Sequence, residues 1–312
     1  MGEIHDLIME KGKLEVRHMV EGRRGSRVVE AAAGFCSDEA LGVGFAYSGW
    51  CQTGLPHRRL ADDSEIWRLQ TESMSLLVEP GAIIDDDGKT RHMGVPYGAL
   101  ARLILIYLQS EALRTGSRDV ELGGSLRGFL KRLDLAAGGR TNGAVREQAE
   151  RISRCRLTFH AKRHGAQLIV NQNIVDMAMF IDKADDRQGR FFNDTARLGE
   201  TFFNELKEHA VPLDEAAIRN IKNSSMSLDI YCWLAYRLHS LTGDKNISWA
   251  ALNGQFGSGV KLLKHFKPQF KENLTMALAV YPDARIDVSE AGVTLHPSAP
   301  PVRKAIKGPS KT

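Results

Sequence analysis

Between Val260 and Tyr281 the apolar residues Leu262, Leu263, Phe266, Phe270, Leu274, Ala277, Leu278 and Tyr281 recur at steps of three and four, which places them on one face of a helix. Lys261, Lys264, Lys267 and Lys271 fall outside that stripe with His265, and Glu272 is the only acid between 258 and 280. Such a helix either shows a solvated face to water or docks against a polyanion. Its neighbours favour docking. Leu228 to Leu241 is apolar almost all round, as a helix enclosed by protein would be; Asn246 to Trp249 is a short strand candidate; a second helix from Ala250 is stopped by Gly254 and Gly257. After the basic helix, Ala284 to Val288 and Val293 to His296 flank a turn at Glu290-Ala291-Gly292. Helix, strand, helix, basic helix and hairpin is the order of a winged helix, whose last helix enters the major groove. Pro268 breaks the pattern: either Lys261 to Lys267 form a separate turn, or the docking helix begins near Lys267.

The same order occurs upstream. Ala99 to Thr115 has apolar residues at helical spacing, Asp119 to Leu122 is a short strand candidate, and Ser125 to Leu135 is a second helix. Gly138-Gly139-Arg140 turns into a third helix, Thr141 to Arg154, with Val145, Ala149 and Ile152 inward. Arg140, Asn142, Arg146 and Arg154 are its candidate DNA contacts, but Glu147 and Glu150 share the outer face, so a salt-bridged structural helix fits equally well. Arg156 to Lys162 and Gln167 to Val170 form a hairpin around His164-Gly165, and Lys162 and Arg163 give its tip a basic edge. The fold expected is α+β, predominantly helical, with two winged-helix domains in tandem. The expected organisation is a poorly defined N-terminal extension at 1–45, a first domain with preceding strands at 46–182, a linker at 183–190, a DNA-binding second domain at 191–296 and a basic disordered tail at 297–312.

Leu228 to Leu241, the Trp-Ala-Ala-Leu of 249–252, the Gln-Phe-Gly of 255–257, the Ala-Val-Tyr-Pro of 279–282, the Gly-Val-Pro-Tyr-Gly of 94–98 and the Leu-Pro-His of 55–57 closely resemble plasmid-encoded RepA replication initiators. The resemblance covers about residues 50–296. It implies binding to repeated duplex sequence at a plasmid origin, recruitment of the host initiator and replicative helicase, and self-association into a homodimer that represses its own gene. A transcriptional or copy-number regulator of similar fold is the nearer alternative, and a protein–protein adaptor the more distant one.

Composition narrows the classes further. The tail carries Arg303, Lys304, Lys307 and Lys311; removing these four from 42 basic residues leaves 38, equal to the 38 acidic ones. A balanced body binds nucleic acid only where its positive charge is segregated. The four cysteines lack metal-ligand spacing, and no apolar run nears membrane length, so a cytoplasmic protein without cofactor or metal is expected. Gly81 to Thr90 ends like a phosphate-binding loop but has six residues between its glycines, three of them aspartates, which would repel phosphate. His160 and His164 lie across a strand and turn, poorly placed to share a metal. His57, beside a proline turn, is read as a buried hydrogen-bonded histidine. No catalytic constellation is visible, so the chain is expected to bind rather than catalyse.

Overall fold

The computed structural model describes residues 3–20, 22–38, 42–72, 74–122, 124–132, 135, 139–163, 166–179, 195–260 and 262–302. Helices α1 (Glu3–Lys11), α2 (Lys13–Met19) and α3 (Gly22–Cys36) come first, then β1 (Val43–Tyr47) and α4 (Ser48–Gln52). Strands β2 (Trp67–Gln70), β3 (Met74–Glu79), β4 (Ala82–Ile84) and β5 (Thr90–His92) lead into α5 (Gly98–Thr115), β6 (Asp119–Glu121), α6 (Gly124–Arg132) and α7 (Gly139–Arg154). The chain continues with β7 (Arg156–Arg163), β8 (Ala166–Asn173), β9 (Val175–Met179), β10 (Thr195–Leu198), α8 (Glu200–His209), β11 (Ala210–Asp214) and α9 (Glu215–Ile221). It ends with α10 (Ser225–Arg237), β12 (Lys245–Ser248), α11 (Trp249–Phe256), α12 (Leu263–Leu278), β13 (Ile286–Val288) and β14 (Gly292–Leu295). The architecture is mixed and largely helical, with five small antiparallel sheets among the described residues.

The two halves share their order of elements but not their strand pairing. In the second half β12, β14 and β13 form one sheet, with Lys245 and Ile286 both opposite Leu295. In the first half the equivalent short strand, β6, pairs with β10 beside β9, while β7 and β8 extend a sheet begun by β2 and β3. Both edges of β7 are therefore filled by β3 and β8. The expected identity of the two copies holds only in outline.

Pairing also crosses the expected boundaries. β1 pairs with β11, Val43 opposite Asp214, and its other edge is met by α5: Phe45 and Tyr47 N–H groups donate to Ser110 Oγ at 2.8 Å and Gln109 Oε1 at 2.6 Å. β10, beyond the expected linker, returns to the first half's sheet. The linker itself, 183–190, lies outside the described residues.

The N-terminal extension, expected to be poorly defined, is built of α1, α2 and α3. α3 buries Val28, Val29 and Ala31 to Ala33 against α9 and α12, and His5 Nε2 lies 2.8 Å from the Ala279 carbonyl. Small side chains leave this packing face with a weak apolar signal. At the other end the tail departs from its expected disorder as far as 302: Ser298 is buried, its N–H donates to the Leu238 carbonyl at 3.3 Å, and Tyr281 Oη donates to the Ala299 carbonyl at 2.6 Å. Residues 303–312 lie outside the described residues.

The halves meet along α5 and α10, both buried over most of their length. At the centre Arg102 Nε and Nη2 donate to Asp229 at 2.5 and 2.6 Å, and the remaining donors reach the Gly98, Leu55 and Pro56 carbonyls at 2.8, 2.7 and 3.3 Å. All five guanidinium N–H groups are used, as burial of this charge requires. The next residue, His57, lies within reach of Ser225 Oγ at 3.0 Å and the Phe256 carbonyl at 3.2 Å. The Leu-Pro-His element is thus the stitch between halves. The segment 94–98 is held in a comparable way by α7: Tyr97 N–H donates to Gln148 Oε1 at 2.9 Å, and the Arg151 guanidinium lies 5.2 Å from the Tyr97 ring centre and donates to the Val95 carbonyl at 3.2 Å.

Candidate nucleic-acid interface

Aromatic packing fixes the orientation of α12. Phe266 and Phe270 are fully buried, their ring centres 6.4 and 5.9 Å from that of Trp249, and the Phe256 ring packs tilted against Phe270 at 5.4 Å. With Leu274 and Ala277 they turn the opposite line of residues, Lys264, Pro268, Lys271 and Thr275, to solvent. Leu262 and Leu263, expected inside, are 52% and 39% exposed because the buried stripe begins only at Phe266.

Pro268 does not start or divide the helix. α12 runs through it from Leu263, which corrects both sequence alternatives. The missing N–H would have bonded the Lys264 carbonyl, and both residues are exposed, so water reaches that acceptor.

The predicted α12 contacts do not form one uniform ridge. Lys264, His265 and Lys271 are exposed, and Lys264 and Lys271 have no carboxylate partner among the described residues. Lys267 is half-buried: its ammonium lies 5.4 Å from the Trp249 ring centre, donates to the Glu290 carbonyl at 3.3 Å and sits 3.7 Å from the Glu290 carboxylate. The Lys271 ammonium flanks the same ring at 5.7 Å. Trp249, itself buried, therefore aligns two lysines beside the hairpin turn. Lys261 lies outside the described residues.

In the first half, Arg140 and Asn142 are exposed at the start of α7 and Arg154 at its end. Arg146 is drawn into an ion pair with Glu150 at 3.1 Å, the salt-bridged reading of this helix. Lys162 and Arg163 lie on β7 opposite Gln167 and Ala166; their side chains, like His164, lie outside what is described.

Four polar residues that hold the halves or the 94–98 segment are not among the residues expected from sequence: Arg102 and Asp229, in the apolar helices α5 and α10, and Gln148 and Arg151, on the buried face of the charge-rich α7. An arginine or aspartate inside an otherwise buried face was the available signal.

His57 is 15% exposed at its side chain; burial first, then the Arg102 charge, push its pKa down, in keeping with a neutral, hydrogen-bonded ring. Burial pushes the Cys155 thiol up to about 12 and raises those of Cys51 and Cys232. Among the described residues no group of three or more His, Cys, Asp or Glu side chains could hold a metal ion, and no helix is long and apolar enough to cross a membrane.

The profile of one protein family, described as plasmid encoded RepA protein, matches residues 95–252. No curated protein sequence matches the chain. Among solved structures, a selenomethionine crystal structure of domains 2 and 3 of RctB is similar at 10% identity with a TM-score of 0.46, over 72% of this chain and 82% of that one. A second crystal structure of RctB domains 2–3 gives 10% identity and a TM-score of 0.42, over 76% and 92%.

Proposed function

This chain belongs to the plasmid encoded RepA family, and from that premise we propose that it initiates replication by binding repeated duplex sequence at the origin of its replicon. α12 enters the major groove as the last helix of a winged-helix module, with the sheet β12-β14-β13 as its wing. The observation that carries this reading is the outward line of Lys264 and Lys271, uncompensated by carboxylates and fixed by the buried Phe266 and Phe270. The first half acts as a second, altered winged-helix module: the exposed start of α7, with Arg140 and Asn142, reads an adjacent groove, and the β7–β8 tip with Lys162 and Arg163 lies along phosphate. Two modules acting together require a long site, with groove contacts about one helical turn, roughly 34 Å, apart.

The protein acts in the cytoplasm as a binder and not as an enzyme. Opening of the duplex draws on binding and bending energy and on the host initiator and helicase it recruits, with a homodimer as the form that represses its own gene. Selection of duplexes from a randomised pool by the full chain tests the reading. Recovery of a repeated consensus longer than one turn supports it, with a log-log salt slope of about −4.5 to −7 for five to eight phosphate contacts. Enrichment of no sequence over the starting pool would reject it.

A further inference from the structure

α12 has two unlike flanks. On one side stand Trp249, Lys267 and the hairpin turn at Glu290. On the other a cleft of about 350 Å³ opens between α12, α3 and the start of α10. Arg27 of α3 and Arg58, next to the Leu-Pro-His stitch, line it from separate segments; both are exposed and neither has a carboxylate partner among the described residues. Glu272 is the one acid on the lining, and it is engaged by Arg24 at 3.2 Å. The first turn of α10, capped by the Ser224 hydroxyl, adds the partial positive charge of a helix N-terminus on the same wall. The two lining arginines are thus unpaired by the cleft's one acid, which Arg24 engages, and the fold holds them beside the proposed recognition helix.

A helix of about 10–12 Å diameter fills a major groove about 12 Å wide, so its two flanks face the two phosphodiester backbones bordering that groove. The hairpin serves one backbone. We infer that Arg27 and Arg58 grip the other, making α3 and the Leu-Pro-His segment part of the DNA-binding surface. The N-terminal region then carries a binding role that the terminal module alone would not supply. This inference rests on the proposed function and extends its footprint.

The test uses the full chain, a duplex selected by the wild type and a scrambled duplex, followed by fluorescence anisotropy across a NaCl titration. Arg27→Ala with Arg58→Ala removes two phosphate contacts. The slope should shrink in magnitude by about 1.8, and affinity at about 0.1 M salt should fall about 60-fold on both duplexes alike. The thermal midpoint should stay unchanged, since both side chains are exposed. Lys264→Ala with Lys271→Ala runs in parallel. If the arginine variant keeps the wild-type slope while the lysine variant loses affinity, the cleft plays no part and the proposed function stands. A loss confined to the selected duplex at constant slope would also overturn the inference, because it marks base reading and not backbone contact. Failure of the wild type to select any duplex that it then binds more tightly than the scrambled one would instead remove the proposed function itself.

Discussion

Replacing Asp229 by alanine probes the join between the two halves most sharply. Arg102 is 6% exposed, and two of its five donors reach the Asp229 carboxylate while three reach main-chain carbonyls. Without the carboxylate, the guanidinium stays buried among neutral acceptors with no counter-charge. Breaking a buried pair from one side costs about 3–5 kcal/mol. Arg102→Met combined with Asp229→Leu removes both charges together, and exchange of a whole buried ion pair for apolar side chains is often neutral or stabilising, which offsets the about 1–3 kcal/mol for each of the Leu55 and Pro56 carbonyls that loses a donor. The double variant should therefore be more stable than Asp229→Ala alone. Urea unfolding followed by tryptophan fluorescence suits the comparison, because Trp50, Trp67, Trp233 and Trp249 report from both sides of the join. A loss below about 1 kcal/mol for Asp229→Ala, or a double variant no more stable than the single, would refute the reasoning.

Three further outcomes are expected. His296 lies between Asp244 and Asp287 at 2.8 and 2.9 Å, and these hydrogen bonds raise its pKa above 6.5. A raised folded pKa means the contribution is fully present below pH 6.5 and lost as pH rises through the folded value. His296→Gln should therefore lower the thermal midpoint most on the acid side, and a deficit that grows towards alkaline pH would contradict the assignment. Gly94 has φ 74°, and a Cβ there would stand 2.1 Å from Arg151 Nη1, so Gly94→Ala should cost about 1–3 kcal/mol in denaturant unfolding; a neutral result would show that this segment yields easily. Pro268→Ala restores a helical N–H within α12 and should raise stability by up to about 3 kcal/mol; a lowered midpoint would mean the second turn is not helical in solution.

The parts of this structure legible in the sequence are those with strong periodicity. The long helices α5, α7, α10 and α12 emerged from apolar spacing, and the hairpin after α12 from its turn residues. The pairing of β1 with β11 and of β6 with β10 did not, because antiparallel partners far apart in sequence leave no local trace. α3 was underestimated because alanines pack closely while contributing little apolar area. Pro268 misled in the other direction: propensity argued for a break, and the buried aromatic residues on either side of it, Phe266 and Phe270, outweigh that local cost. On α12, charge and helical phase point to Lys264 and Lys271 as outward residues, and both are exposed. They could not show that Lys267 leans on Trp249 and Glu290, since that depends on where the hairpin returns.

Lys264→Glu with Lys271→Glu, measured against the duplex selected by the wild type, addresses the central claim most directly. Both side chains are exposed and without carboxylate partners among the described residues, so the variant should fold as the wild type does. Loss of two phosphate contacts and added repulsion should weaken binding about a hundredfold or more at about 0.1 M salt, close to 3 kcal/mol, and flatten the salt slope. A folded variant that binds with wild-type affinity and slope would remove α12 from the duplex and contradict the account.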